Sequence, residues 1–277
     1  MKQFFLWFGL FGIAIKADAQ QQTDQAHLSG QFSTSVFTNS DAVLSEKKLD
    51  KALYSRLSAA FPNWLITMDT RTGGFKDLNG TPIAVAGNSV EEKARNLMRS
   101  QLSAAGINVA EWVLSGTQTA SKGISYAYFT QVIAGKEVSF SKMHFRFTAD
   151  GKIARIYMKG YGKPETALVP VISEARALEA ALDGMGAAAI SHAAVQEGWE
   201  WFPVPSAKGY ELRPAYKITA AGSMSANSSI PLDLQAYVDG INGRLLYRDN
   251  SIKDAVDLKV VNSVFTKGIL EPQELVG

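Results

Sequence analysis

The chain of 277 residues contains no cysteine. That absence excludes disulfides, thiol nucleophiles, zinc ribbons and cysteine-ligated clusters together. Histidine is nearly absent too. His27, His144 and His192 are the three present, far apart in sequence, and none lies in a His-Glu-x-x-His or other metal-ligand spacing. Charge of one sign is also lacking: 28 Lys and Arg face 26 Asp and Glu, for a net charge of +2. With no long basic cluster there is no field for nucleic acid, and no nucleic-acid partner is expected. What is present is apolar. Hydrophobic residues make up 46% of the chain and aromatics 10%, enough for a real core and too much for global disorder.

The first residues read as an address. Lys2 supplies a positive start, Phe4 to Ile15 form an apolar run of twelve, and Ala17-Asp18-Ala19 fits the small-x-small cleavage rule. Twelve apolar residues fall short of the roughly 20 that cross a bilayer as a helix, and no other stretch approaches that length. The expectation is a signal peptide over residues 1–19, cut between Ala19 and Gln20, with export to the periplasm, cell surface or medium and no stable membrane insertion.

Beyond a Gln, Ser and Thr-rich stretch, the pattern from Ser40 to Ala60 is helical, with Leu49, Leu53 and Leu57 at i, i+4, i+8 and Pro62 as its stop. Trp64, Ile66 and Met68 then alternate with polar positions, and the turn Asp69-Thr-Arg-Thr-Gly73 leads back through Phe75 and Leu78. Ser89-Val-Glu-Glu92 is a capping box at the start of a second helix. Val90, Ala94, Leu97, Met98 and Leu102 form its apolar face, and Gly106 is its stop.

Residues 112–159 read as an antiparallel meander. Tyr126, Tyr128, Thr130 and Val132 make one phase. Met143, Phe145 and Phe147 alternate with Lys142, His144 and Arg146 before a tight turn at Asp150-Gly151. The slip in phase through Ile153, Ile156 and Met158 predicts a β-bulge. His144, in the polar phase between two cations, is expected to face solvent. Gly160 to Pro164 reads as a linker, Ser173 to Leu182 as a helix with Ala175, Leu178, Ala181 and Leu182 on one side, and Ala187 to Val195 as a second, Ala-rich helix carrying His192 on its surface or end. Trp199, Trp201 and Phe202 are expected to turn inward from a strand. Strand signals continue at 212–219, through Leu232, Leu234, Ala236 and Val238, and, past the turn Asp239 to Gly243, at 245–247.

A shift of 170 positions superposes two of these units. Asp69 falls on Asp239, Gly73 on Gly243, Met68 on Val238 and Phe75 on Leu245. Duplication explains this, and so do two unrelated hairpins using the same turn chemistry, in which Asp bonds its own turn and Gly takes positive φ. The sequence offers no catalytic constellation: no Gly-x-Ser-x-Gly elbow, no phosphate loop, and no alternating carboxylates for calcium. No metal site, no cofactor and no enzymatic activity are expected.

The stretch from Ser89 to Lys159 resembles the FTP domain, the fungalysin/thermolysin-type propeptide. The likeness rests on Glu91-Glu-Lys-Ala-Arg95 in a capped helix, Tyr128-Phe-Thr-Gln131-Val-Ile-Ala-Gly135-Lys-Glu-Val138, and Phe147-Thr-Ala-Asp150-Gly151-Lys-Ile153. Ile172 to Arg248 is similar to the PepSY-type module that follows such domains, through Ser173-Glu-Ala-Arg-Ala177, Leu212-Arg-Pro-Ala-Tyr216 and Ala236-Tyr-Val-Asp239 before a Gly turn. The implied organisation is a signal peptide (1–19), a helix and hairpin region (20–88), an FTP-like domain (89–163), a PepSY-like domain (164–251) and an extended C-terminal segment (252–277). The expected fold is α+β: two small modules, each with a helix packed on a twisted antiparallel sheet.

The resemblance implies a non-catalytic pro-region that assists the folding of, or inhibits, a zinc metalloprotease, in cis or in trans. The extended segment 252–277 would block the protease cleft. No catalytic domain and no zinc-binding helix follow in this chain, so a pro-region would be the N-terminal part of a longer precursor. The competing expectation is a structural scaffold of an exported surface protein with no protease partner.

Overall fold

The computed structural model describes residues 50–250 except 70–71, 166–167, 186–188, 207–208 and 224–230. The expected signal peptide with its Ala19–Gln20 junction, His27, the start of the first helix and the extended segment 252–277 lie outside the described residues.

The chain divides into two units. Among the described residues, the first comprises 50–170 together with 199–215, and the second 171–198 together with 216–250.

The first unit begins with helix α1 (Lys51–Ala60), whose N-cap Asp50 accepts a bond from the Leu53 amide at 2.9 Å. Strands β1 (Leu65–Met68) and β2 (Phe75–Ile83) form a hairpin. Helix α2 (Val90–Leu97) is capped as the sequence predicts, the Glu92 amide donating to Ser89 Oγ at 3.1 Å. The Glu92 carboxylate, however, accepts from the Asn88 amide, one residue before the cap. The helix then widens into a π turn, Met98–Leu102, and ends at Gly106 with φ +92°. Five further strands follow: β3 (Trp112–Thr119), β4 (Ser125–Ile133), β5 (Lys136–Glu137), β6 (Lys142–Phe147) and β7 (Ile153–Lys159).

These strands make one sheet in the order β1-β2-β7-β6-β4-β3, with β5 paired to β4. The predicted meander is its β3-β4-β6-β7 portion. What sequence did not foresee is that the β1-β2 hairpin joins it, β2 pairing antiparallel with β7 through Asp77↔Tyr157 and Leu78↔Ile156. The predicted slip is present: Arg146 faces Arg155 and Phe147 faces Ile153, so Ala154 is the extra residue. Phe75, Leu78, Ala127, Phe129, Met143, Phe145, Phe147 and Ile156 turn to one face and are buried. Leu53, Leu57, Ala94, Leu97 and Leu102 from the helices join the same cluster.

The second unit contains helix α3 (Glu174–Leu182) and a four-stranded sheet ordered β11-β10-β9-β8. The strands are β8 (Ala189–Ser206), β9 (Gly209–Ser223), β10 (Pro231–Asp239) and β11 (Leu245–Asn250). Residues 199–215, at the turn end of β8 and β9, count with the first unit. The buried face of α3 is Ala177 and Ala181, an i, i+4 pair, and Ala175 is exposed, contrary to the predicted stripe. Leu232, Leu234, Ala236 and Val238 are all buried, as their alternation requires.

The predicted α+β class is overturned. Of the interpretable region 51% is strand and 22% helix, arranged as two antiparallel sheets with few helices rather than as a helix-on-sheet pair of modules. Part of the reason is the segment expected as an Ala-rich helix. Its described part, from Ala189 onward, is the first half of β8, where Ser191 Oγ donates to Ala221 O of β9 at 3.1 Å and Gln196 Nε2 to Thr219 Oγ1 at 3.3 Å. Pairing with a neighbouring strand outweighs the weak local preference of alanine.

Candidate functional site

Three places in the structure gather polar side chains. The first is centred on Gln131, on the buried face of β4 and 3% exposed. Its side-chain amide copies a β-ladder. Tyr161 N donates to Gln131 Oε1 at 2.9 Å, and Gln131 Nε2 donates to Tyr161 O at 2.9 Å and to a Glu111 carboxylate oxygen at 3.0 Å. The expected linker at Gly160–Pro164 is thereby clamped. Tyr161 enters a buried cluster with Ile133, Val138, Trp201 and Leu212, and its ring meets Tyr210 edge-on at 5.1 Å. Burial raises the Tyr161 hydroxyl pKa far above its ordinary value. Trp201 and Phe202 point inward, as the sequence predicts, and Trp201 Nε1 donates to Ile133 O at 3.0 Å. Trp199 stands edge-on to Trp201 with Lys136 Nζ over its ring.

The second place is in the other unit. Arg248 of β11 is 2% exposed, and its Nη1 donates to Ala181 O at 3.1 Å and Asp183 O at 2.7 Å, the carbonyls left open at the end of α3. Burial lowers the guanidinium pKa. The sequence signal was available: Arg248 shares its strand phase with Leu246, a charge in a buried register.

The third is the outer face of the larger sheet. Across β4, β6, β7 and β2, Tyr128, His144, Tyr157 and Asp77 stand opposite one another in register. His144 stacks on Tyr157 with centroids 5.0 Å apart and 18° between planes, and Tyr128 lies 5.9 Å away on its other side. It belongs to the polar phase as expected but is half-buried by these rings. Burial, then Lys142 and Arg155, lower its pKa from 6.5 to about 4, so the imidazole is neutral at physiological pH. Its Nδ1 has no hydrogen-bond partner among the described residues.

The three residue pairs singled out at turns sit at turns. Gly73, Gly151 and Gly243 have φ of +75°, +74° and +74°. The Asp150 carboxylate pairs with Lys152 and accepts from Thr148 Oγ1, which in that order hold its pKa down at about 2. Lys93 Nζ donates to Gly151 O at 3.0 Å, tying the turn to α2. His192 is exposed, on a strand rather than a helix. Of these turn residues, Asp69 lies near the His144–Tyr157 stack: after burial, its charge raises the Tyr157 pKa. Among the described residues, no three His, Asp or Glu side chains converge on a common point.

Chemically, the first two places are cross-links: the Gln131 amide, the Trp201 indole N–H and the Arg248 guanidinium each bond main chain across the fold. The third presents rings and charges outward. No family model matches the chain, and no curated protein matches it in sequence. Among solved structures, the chain is similar to the Bacillus megaterium YpeB C-terminal domain, with a TM-score of 0.32 and 11% identity over 76% of this chain and 100% of that one. It is also similar to an uncharacterized protein from Eubacterium rectale, with a TM-score of 0.35 and 9% identity over 70% and 80% of the two chains.

Proposed function

We propose that this chain is a non-catalytic, propeptide-like binding module of an exported protein, which assists the folding of, or inhibits, a zinc metalloprotease. The observation that carries the reading is the use made of Gln131. In the stretch that resembles the FTP domain, this glutamine is the polar residue on the otherwise apolar buried face of its strand, and it clamps the main chain at Tyr161. A motif residue spent on architecture fits a module whose work is done by its surface. Binding to the folded form of a protease stabilises that form by simple linkage.

The test is to refold a secreted thermolysin-type metalloprotease with and without the purified chain, and to titrate the chain into the active enzyme. The expected result is a higher refolding yield, or a peptidase rate that falls and saturates near one equivalent. No effect on yield or rate across a panel of such enzymes would overturn the reading in favour of a surface scaffold.

A further inference from the structure

We infer that the outer face of β6 and β7 is a docking surface for an acidic, extended polypeptide segment, received by Lys142, Arg146, Arg155 and Lys159 around the His144–Tyr157 stack. The surface goes beyond the protease reading and stands whether or not that reading holds.

The register on this face is unusual. Three successive cross-strand pairs are Lys142↔Lys159, His144↔Tyr157 and Arg146↔Arg155. Two of the three therefore set like charges directly opposite one another, an arrangement that destabilises a sheet. Neither β6 nor β7 carries a carboxylate; beside them on β2, Asp77 Oδ1 already takes Arg155 Nε at 2.6 Å, Asp69 lies near enough to act on Tyr157 with Asp77, and Glu137 of β5 stands opposite Val132 farther across the face. Lys142 Nζ rests over the Tyr128 ring at 5.0 Å, and Lys159 Nζ lies 6.0 Å from the Tyr161 ring. Lys142 and Arg146 are exposed, and neither forms an ion pair among the described residues. Across β4, Tyr126 faces Arg146 and Tyr128 faces His144. Among the described residues, the β6–β7 part of the face thus carries four cations and no carboxylate of its own, with three tyrosines around them.

Charge complementarity calls for an anionic occupant, and spacing selects its class. Lys142, His144 and Arg146 stand at i, i+2, i+4 of one strand, so they repeat about every 6.7 Å, twice the rise of a strand residue. An extended peptide repeats its same-side residues at that interval. Carboxylates four residues apart reach Lys142 and Arg146 together, and a residue between them meets the His144–Tyr157 stack. Charge-assisted bonds from the guanidinium fork of Arg146 to a carboxylate are the strong ones.

The probe is a dye-labelled octapeptide of alternating Glu and Val, titrated into the purified protein and followed by fluorescence anisotropy. Saturable binding is expected, weakening as salt is raised and falling about tenfold or more in Arg146→Glu and in Lys142→Glu. Both positions are exposed, so the variants should melt within a few degrees of the parent, which checks that the fold survives. A Lys-Val octapeptide should not bind. The proposal is overturned by absence of binding, by affinity unchanged in both variants, or by an oligogalacturonate binding tenfold tighter than the peptide. That last result would assign the face to an anionic polysaccharide.

Discussion

Asp69 and Asp239, 170 positions apart, hold the same turn in two different sheets. In each, the Asp amide donates to the carbonyl five residues on, Gly74 or Arg244, at 2.8 Å. The Gly amide donates back to the Asp carbonyl at 2.8 Å in one turn and 2.9 Å in the other. In each, the strand register shifts one residue before the turn, between Thr67 and Met68 or between Tyr237 and Val238, and Met68↔Phe75 matches Val238↔Leu245. The likeness read from sequence thus extends to hydrogen bonds and to the bulge.

The two turns differ in how far they are buried, which yields a first prediction. Asp239 is 1% exposed and its Oδ1 accepts the Ile241 amide at 2.8 Å, whereas Asp69 Oδ1 meets the Thr72 amide at a weaker 3.4 Å. Asp239→Ala should cost about 1–3 kcal/mol, the range for leaving a buried donor unsatisfied, and Asp69→Ala clearly less. Gly73→Ala and Gly243→Ala should each cost about 1–2 kcal/mol because both need positive φ. Urea unfolding midpoints of the four variants check the order, and equal losses at the two Asp positions would contradict it.

Gln131 makes a second prediction. Gln131→Leu keeps the volume and strips the Tyr161 main chain of both its partners in a buried place, so stability should fall by about 2–4 kcal/mol. Tyr161→Phe is the control. Its hydroxyl is buried without a hydrogen-bond partner among the described residues, so removing it should be neutral or mildly stabilising. Thermal melts of both variants test the contrast.

His144 links stability to pH. Its folded-state pKa is about 4 against an ordinary 6.5. Between these values the unfolded chain binds more protons than the folded one, so stability rises with pH there. The contribution is complete above about pH 6.5, declines as pH falls, and is lost below about 4. His144→Gln should therefore lose less stability than the parent between pH 6.5 and 4, and the two curves should run parallel above that window. Parallel curves throughout would show that the imidazole titrates as in water.

Gly80 carries the fourth prediction. A Cβ built there would stand 2.4 Å from Trp64 Cδ1, on a ring that also packs against Phe61 with centroids 5.3 Å apart. Gly80→Ala should displace the indole, changing near-ultraviolet circular dichroism, and cost about 1–3 kcal/mol, as overpacking does. Gly116→Ala, on the edge strand β3 with open space around it, should be neutral or slightly stabilising.

Local chemistry was legible in the sequence because it is settled within a few residues. The Ser89 cap needs only Glu92, the Asp-x-x-x-Gly turns need only themselves, and the alternation of Leu232 to Val238 states which face is buried. Long-range pairing decided the rest. Whether Ala189 to Val195 coils or extends depends on the hydrogen bonds β9 supplies, and alanine's own preference is too weak to refuse them. That choice, together with the pairing of β2 to β7, makes the described residues predominantly sheet. The same holds for the side chains that matter most. Gln131 finds its partner 30 residues away and Arg248 finds its own 67 and 65 residues away. The charged face of β6 and β7 exists only because antiparallel register sets lysine opposite lysine and arginine opposite arginine. Sequence determines which way each side chain points along its own strand; only the fold determines what it meets, since partners are set by register between segments the chain brings together.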